Sequence, residues 1–109
     1  MAELDFGALM KQAQALQEKL KAVQEQAAAQ VVDADAGGGM VRVSVDGSMQ
    51  VRRIEIDPTL IASNDKAMLE DLIVVAVNQG LKRAQEMVAQ EMGKLGPLGG
   101  MKLPGFGGD

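Results

Sequence analysis

The sequence contains no cysteine, histidine, tryptophan or tyrosine among its 109 residues, and these absences exclude several classes of function. Without imidazole and thiol groups the chain lacks the usual general base at neutral pH and the usual thiol nucleophile, so we expect no enzymatic activity. Disulfide bonds and thiolate metal sites are excluded, and we expect neither a metal nor a cofactor. The two aromatic residues, Phe6 and Phe106, lie near the termini, which argues against binding of single-stranded nucleic acid by base stacking.

Long hydrophobic runs are also missing from the sequence. The longest apolar run, residues 72–77, is far too short to span a bilayer. The chain shows no basic segment followed by an apolar one at its start, as a signal peptide would. We therefore expect a soluble, cytoplasmic protein without a membrane partner. Its formal net charge of −4 weighs against nucleic-acid binding by overall attraction.

The stretch of residues 69–84 is the most apolar part of the chain. Apolar positions continue at helical spacing on both sides of it, which favours one helix from about residue 65 to about residue 94 over a buried strand. Asn64 or Asp65 suits the N-cap of this helix. A helix that is apolar all round has to be covered on all sides, so we predict that a second copy of the chain supplies part of the cover. Gly80, inside this helix, is either a tolerated weak spot or a point of close backbone approach.

A heptad pattern predicts a first helix over residues 5–29, because apolar residues recur at alternating steps of three and four. The apolar seam of this helix is narrow and contains alanines, so it suits packing against one neighbour. That neighbour is either a helix of the same domain or another chain.

Three strands are predicted between the two helices. Residues 31–35 form the first strand, and residues 40–46 form a second one that alternates between apolar and polar positions. Asp46-Gly47 is a hairpin turn signal. The return strand covers residues 49–57, and its apolar positions slip in phase at Arg52-Arg53, which predicts a β-bulge there. Because a strand follows the glycine loop between the first two strands, that loop does not fit a phosphate-binding loop, which opens a helix.

These elements predict an α+β fold with a long N-terminal helix, a three-stranded antiparallel meander and a long C-terminal helix, in one domain over residues 1–94. Residues 95–109 are rich in glycine and contain two prolines, so we predict a flexible tail. The small sheet has open edges, which suggests an intertwined homodimer with helical arms outside a shared core. We place its interface at apolar or small residues of the last strand and the second helix, namely Leu72, Val75, Ala76, Gly80, Val51 and Ile54.

Basic residues cluster locally in spite of the acidic net charge. Arg52-Arg53 and Lys82-Arg83 are adjacent pairs, and a homodimer would double each pair about its two-fold axis. Binding to the DNA backbone depends on local charge and counterion release, so such clusters fit duplex binding with low sequence specificity. A solvated surface without a ligand is the alternative explanation of these charges. On charge alone, the candidate DNA-binding residues are Lys11, Lys19, Lys21, Arg42, Arg52, Arg53, Lys82 and Arg83.

Four stretches resemble the YbaB/EbfC family in the same order and at the same spacing: residues 10–20 (MKQAQALQEKL), 37–43 (GGGMVRV), 53–58 (RIEIDP) and 69–78 (LEDLIVVAVN). The resemblance covers roughly residues 8–92. It implies a bacterial, nucleoid-associated protein that binds double-stranded DNA as a tweezer-shaped homodimer with helical arms. It also implies effects on chromosome organisation, gene expression and recombination or repair, with recombination or replication proteins as further partners. Gly80 departs from the family pattern, in which Ala is usual.

A second function stays open beside DNA binding. The heptad seam of residues 6–30 would dock a partner helix, and the protein would then be a non-enzymatic protein-interaction adaptor. The acidic net charge favours the adaptor, whereas the basic pairs and the family resemblance favour the DNA-binding protein.

Overall fold

The computed structural model describes residues 5–95, and six helices and strands follow one another along them. They confirm the predicted α+β order of helix, three-stranded antiparallel meander and helix. The predicted tail lies outside the described residues, except for residue 95. In chain order the elements are α1 (Phe6–Ala29), β1 (Val31–Ala36), β2 (Val41–Asp46), β3 (Val51–Ile56), α2 (Pro58–Ala62) and α3 (Lys66–Gly93).

Both long helices begin at an aspartate cap. The carboxylates of Asp5 and Asp65 accept hydrogen bonds from the backbone N–H groups of Ala8 (3.2 Å) and Met68 (3.0 Å). These bonds satisfy N–H groups that have no partner inside the helix. Asp65 is thus the cap of α3, while Asn64 takes a left-handed conformation with a φ of 60°.

Helix α2 is an element that the sequence pattern did not predict. The sequence predicts only the end of a strand at Pro58, whereas the fixed φ of proline also suits the first turn of a helix. The carboxylate of Asp57 caps this helix and accepts hydrogen bonds from the hydroxyl (2.7 Å) and the backbone N–H (2.8 Å) of Thr59. The same hydrogen bonds lower the pKa of Asp57. The helix contributes Leu60, which is fully buried, to the core.

The sheet has the order β1-β2-β3, so β2 is paired on both sides. Val41, Val43 and Val45 of β2 are all buried, as their alternation predicts. The predicted bulge is also present. Ser44 pairs with Arg53 and Val45 pairs with Val51, which leaves Arg52 as the extra residue of β3.

Helix α3 lies on one face of the sheet, over β1 and β2, and approaches β2 closely at Gly80. A Cβ atom on Gly80 would lie 2.6 Å from Cγ2 of Val45 and 3.0 Å from Cγ2 of Val43. The absence of a side chain therefore lets the helix pack against its own sheet. Gly80 and Ala76, two positions of the predicted dimer interface, are thus buried in the core of their own chain.

Only the C-terminal end of α1 belongs to this core. Ala27 is buried, and its backbone lies directly against Gly47 in the β2–β3 turn, whereas residues 6–19 are exposed. Helix α1 also packs along α3. The chain measures 77 × 28 × 15 Å, and its radius of gyration is 20.6 Å; about 13 Å is typical of a compact domain of 100 residues. The N-terminal part of α1 therefore stands clear of this core, and we call the whole of helix α1 (Phe6–Ala29) the arm.

Candidate nucleic-acid interface

All eight cations that the sequence predicts as DNA contacts are exposed, but the structure separates them into three groups. One group lies on the α1 arm, a second lines a groove on the outer face of the sheet, and the remaining two side chains stand apart. The groups are Lys11, Lys19 and Lys21 on the arm, Arg42, Arg53 and Arg83 at the groove, and Arg52 and Lys82 alone.

The outer-face groove lies on the side of the sheet turned away from α3, and its charges are balanced. Two rows of side chains cross the three strands there. The first row is Asp35, Arg42 and Glu55, and the second is Asp33, Ser44 and Arg53. Arg83 reaches this groove from α3. Three arginines therefore share the groove with three carboxylates, so the groove has no net charge to attract a phosphate.

Most polar groups of the outer-face groove already have partners within the chain. Arg53 forms an ion pair with Glu55. Ser44 donates its hydroxyl proton to a carboxylate oxygen of Asp33 at 2.7 Å. Arg83 donates from Nη1 to the backbone carbonyl oxygen of Asp33 at 2.6 Å. A phosphate would have to displace these contacts, so the groove is a poor site for the DNA backbone.

The bulge separates Arg52 from its neighbour Arg53. Nε of Arg52 lies 3.1 Å from a carboxylate oxygen of Asp46, whose side chain is 5% exposed. Asp46 also accepts hydrogen bonds from the hydroxyl (2.6 Å) and backbone N–H (2.9 Å) of Ser48 and from the N–H of Gln50 (3.1 Å). The hydrogen bond from the hydroxyl of Ser48 is the main reason why the pKa of Asp46 is below its ordinary value. Arg52 is thus bound to the β2–β3 turn.

The adjacent residues Lys82 and Arg83 also point in different directions. Successive residues of a helix are separated by about 100°, so Lys82 lies roughly 200° from the direction of Gly80, which faces the sheet. Arg83 turns back towards β1 and bonds to Asp33. The pair therefore does not form one basic patch.

The arm carries the three lysines that remain. Lys11 and Lys21 are separated by ten residues, or about 15 Å along the helix. Within the part of the chain that the structure describes, no carboxylate lies within 4.0 Å of any of the three lysine nitrogens. Against these lysines the helix has only Glu18 and Glu25, which leaves a net charge of +1 for α1.

The sheet and α3 have the opposite sign of net charge. Residues 31–56 contain three arginines and four carboxylates, which leaves −1. Helix α3 contains three cations and four carboxylates, which also leaves −1. Among the long elements of the described chain, α1 is therefore the one with a net positive charge.

An apolar face stays open beside β3. Helix α3 covers β1 and β2, so Val51 and Ile54 of β3, which turn to the same side of the sheet as α3, are 41% and 43% exposed. We call Val51 and Ile54 the open apolar face.

The open apolar face covers only part of the predicted dimer interface. Val51 and Ile54 belong to both sets, and Val75 is exposed on the side of α3 turned away from the sheet. Leu72 is half-buried and lies over Gly37 at the β1–β2 turn.

Comparison with known proteins identifies the family of the chain. Residues 1–101 match the YbaB/EbfC DNA-binding family. The chain belongs to this family. Its sequence is 49% identical over 97 residues to a nucleoid-associated protein of Syntrophobacter fumaroxidans, which covers 89% of this chain and 86% of that protein. It is 45% identical over 101 residues to a nucleoid-associated protein of Desulfotalea psychrophila, with 93% of each chain covered.

A solved structure supports the fold of this YbaB/EbfC member. The crystal structure of the uncharacterized protein HP0035 from Helicobacter pylori matches with a TM-score of 0.63 and 26% sequence identity, over 77% of this chain and 88% of that one. The family resemblance of the four sequence stretches is confirmed by these comparisons. The YbaB/EbfC family is a nucleoid-associated DNA-binding family and not a known enzyme family.

Neither a metal-binding cluster nor a membrane-spanning helix is present among the described residues of this YbaB/EbfC chain. Between residues 5 and 95, no three histidine, cysteine or acidic side chains come together in a way that could hold a metal ion. Within the same range, no helix has the length and apolar character needed to cross a membrane.

Proposed function

We propose that this protein binds duplex DNA as a homodimer, through contacts of the arm lysines with the sugar–phosphate backbone and with low sequence specificity. The observation that carries the proposal is the set of Lys11, Lys19 and Lys21, which are exposed on the one long element with net positive charge. Each lysine that neutralises a phosphate releases a counterion, and this release supplies most of non-specific affinity. Backbone contacts of this kind position the protein without reading the bases.

The open apolar face supports the homodimer. Val51 and Ile54 are exposed beside the free edge of β3, and this edge carries unpaired backbone groups. A two-fold axis beside β3 would place the open apolar faces of two copies against each other and remove both from water. The arms would then project from a shared core, because residues 6–19 pack against nothing in their own sheet.

The location and the role follow from the DNA-binding proposal and the family. Relatives are named nucleoid-associated proteins, so we propose that this chain also resides on the nucleoid. There it would influence chromosome organisation and gene expression. A contribution to recombination or repair, together with recombination or replication proteins, is the finer part of the same proposal.

Removal of the positive charges of the arm lysines is expected to weaken DNA binding, whereas removal of two arginine charges from the outer face of the sheet is not. The arm variant is Lys11→Gln, Lys19→Gln and Lys21→Gln, and its control is Arg42→Gln with Arg53→Gln in the outer-face groove. For the arm variant, we expect the magnitude of the log–log salt slope of duplex binding to decrease by about two per protomer, since each phosphate contact contributes roughly 0.9 and Lys19 and Lys21 lie about 200° apart on the helix, so that one duplex contacts only one of them. Fluorescence anisotropy of a labelled duplex measures both slopes.

The reverse result would contradict the assignment of the DNA contacts to the arm. An unchanged salt slope for the arm variant together with a reduced slope for the control would place the contacts on the outer face of the sheet. Far-UV circular dichroism of both variants checks that α1 is still helical.

The protein-interaction adaptor is a second candidate function, and one observation favours it. Phe6, Leu9 and Leu16 of the arm are 78%, 44% and 42% exposed and share the apolar seam of α1. A partner helix could cover this seam. The variant Leu9→Gln separates the two functions, because DNA binding by the lysines should survive it and docking of a helix on the seam should not.

A further inference from the structure

The two edges of the sheet differ in the backbone groups that they expose. In an antiparallel pair, alternate residues direct their N–H and C=O groups to the partner strand or away from it. The N–H of Gly47 donates to the carbonyl oxygen of Gln30 at 3.0 Å, and the pairing continues from there in steps of two along β1. Val31, Asp33 and Asp35 therefore direct their backbone groups to the free edge of β1.

A side chain from α3 closes the centre of this β1 edge. Nη1 of Arg83 lies 2.6 Å from the carbonyl oxygen of Asp33, fifty residues earlier in the chain. Leu72 lies nearer the N-terminal end of α3, and its side chain contacts Gly37, which follows the same strand. The helix thus covers the β1 side of the sheet, and its arginine occupies an acceptor that an added strand would need. Covering an edge in this way is a known means of preventing edge-to-edge association.

The β3 edge has no such cover among the described residues. The N–H of Asp57 donates to the carbonyl oxygen of Met40 at 2.7 Å, so by the same alternation the backbone groups of Ile54 and Ile56 point to the free edge. No side-chain hydrogen bond of residues 5–95 reaches those groups. One edge of the sheet is therefore open, and the other is closed by Arg83.

The side chains that flank the two edges differ in charge. Asp33 and Asp35 stand on the outer face of β1, whereas the outer face of β3 carries Arg53 and its ion-pair partner Glu55. Antiparallel pairing of two β1 edges would bring only aspartates together, whereas pairing of β1 with β3 of another copy would bring aspartates beside a strand whose outer-face charges balance. Such a head-to-tail contact uses two different surfaces, so it leaves a free surface at each end and can add further copies until a ring closes or a filament forms.

We infer that Arg83 is an edge cap, which blocks the β1 edge against β3 of a further copy and so limits assembly to a homodimer formed on the β3 side. This inference rests on the proposed homodimer. It removes Arg83 from the DNA contacts and assigns it to the control of assembly. The partner that the uncapped β1 edge would take is a second copy of this chain, through its β3 strand.

The test compares Arg83→Ala with Lys82→Ala by size-exclusion chromatography with light scattering over a range of protein concentrations. Both variants remove one exposed cation from adjacent positions of α3, and alanine is the residue most favourable to a helix, so both should fold. We expect the mass of Arg83→Ala to rise with concentration to at least double that of the wild type. Lys82→Ala should keep the wild-type mass.

A second substitution tests whether the new assemblies grow at the β1 edge. The N–H of Asp35 points to the free edge, so Asp35→Pro removes no hydrogen bond of the sheet and blocks an added strand. We expect Asp35→Pro, added to Arg83→Ala, to return the mass to that of the wild type.

An Arg83→Ala mass equal to the wild-type mass at all concentrations would overturn the edge cap, and so would assemblies that persist in the double variant. Both results are comparisons with the wild type, so they do not bear on the proposed DNA-binding homodimer. That proposal would fail instead if the wild type were a monomer. Equal loss of duplex affinity in Arg83→Ala and in the arm variant, without a change of mass, would return Arg83 to the DNA contacts and overturn the edge cap.

Discussion

Replacement of Ile54 by aspartate is expected to convert the proposed homodimer into monomers. Ile54 is 43% exposed in the single chain and lies on the open apolar face, which a partner copy would cover. An aspartate at this position would leave its charge buried in the interface without a partner, which costs about 4 kcal/mol. This cost raises the dissociation constant of the dimer about a thousandfold. A two-fold axis would place two such carboxylates in the same interface. Light scattering at micromolar concentration measures the change in mass.

Val31→Asp is the matched control for this experiment. Val31 is also an exposed β-strand residue, with 51% of its surface accessible, but it lies on β1, at the other edge of the sheet. We expect this variant to keep the mass of the wild type. A dimer that persists in Ile54→Asp, or that dissociates equally in Val31→Asp, would show that the homodimer does not form on the open apolar face.

Replacement of Gly80 by leucine is expected to destabilise the fold strongly. Even a Cβ atom at this position would meet Cγ2 of Val45 at 2.6 Å and Cγ2 of Val43 at 3.0 Å. Both valines are buried and branched at Cβ, so they have little freedom to move away. Overpacking of a core costs roughly 1–3 kcal/mol, and we expect about 3 kcal/mol here because a whole leucine has to be placed between helix and sheet. Urea unfolding followed by circular dichroism measures the loss.

Gly93→Leu serves as the control in the same helix. A Cβ atom on Gly93 would have no neighbour within 4 Å, and Gly93 is the last residue of α3. We expect its unfolding midpoint to equal that of the wild type or to rise slightly, since glycine disfavours a helix by up to about 1 kcal/mol relative to other residues. A wild-type midpoint for Gly80→Leu would mean that α3 does not pack on β2 as closely as the structure shows.

The long elements could be predicted from the sequence because their causes are local. Apolar periodicity indicated the type of each long helix, and the cap candidates Asn64 and Asp65 indicated where α3 begins. The bulge at Arg52 followed from a slip of phase in a single strand. Helix α2 could not be found in this way, because five residues are too few to show a helical period.

The grouping of the cations could not be predicted, because it depends on contacts between distant parts of the chain. Charge alone selected eight residues that are indeed exposed. The adjacent pairs do not form patches, because Arg52 turns to Asp46 and Arg83 turns to Asp33 across fifty residues of sequence. One part of the grouping could have been predicted. Asp33 and Asp35 occupy alternate positions of β1, and this alternation places both on the same face of the sheet as Arg42.

The surface that we propose for the homodimer could not be predicted for a related reason. A helix that is apolar on all sides gives no indication of which side meets its own sheet and which side meets a partner. Ala76 and Gly80 face the sheet of their own chain, whereas Val74 and Val75 are exposed. Only the tertiary structure separates these two sides.

The measurement that tests the central proposal most directly is fluorescence anisotropy of a labelled DNA duplex titrated with the wild-type protein between roughly 50 and 200 mM salt. We predict micromolar or tighter affinity at the lowest salt and a steep negative slope of log affinity against log salt. The slope then gives the number of phosphate contacts, to be compared with the lysines of two arms. No binding at the lowest salt, or an affinity that does not change with salt, would contradict a DNA-binding homodimer that acts through the phosphate backbone.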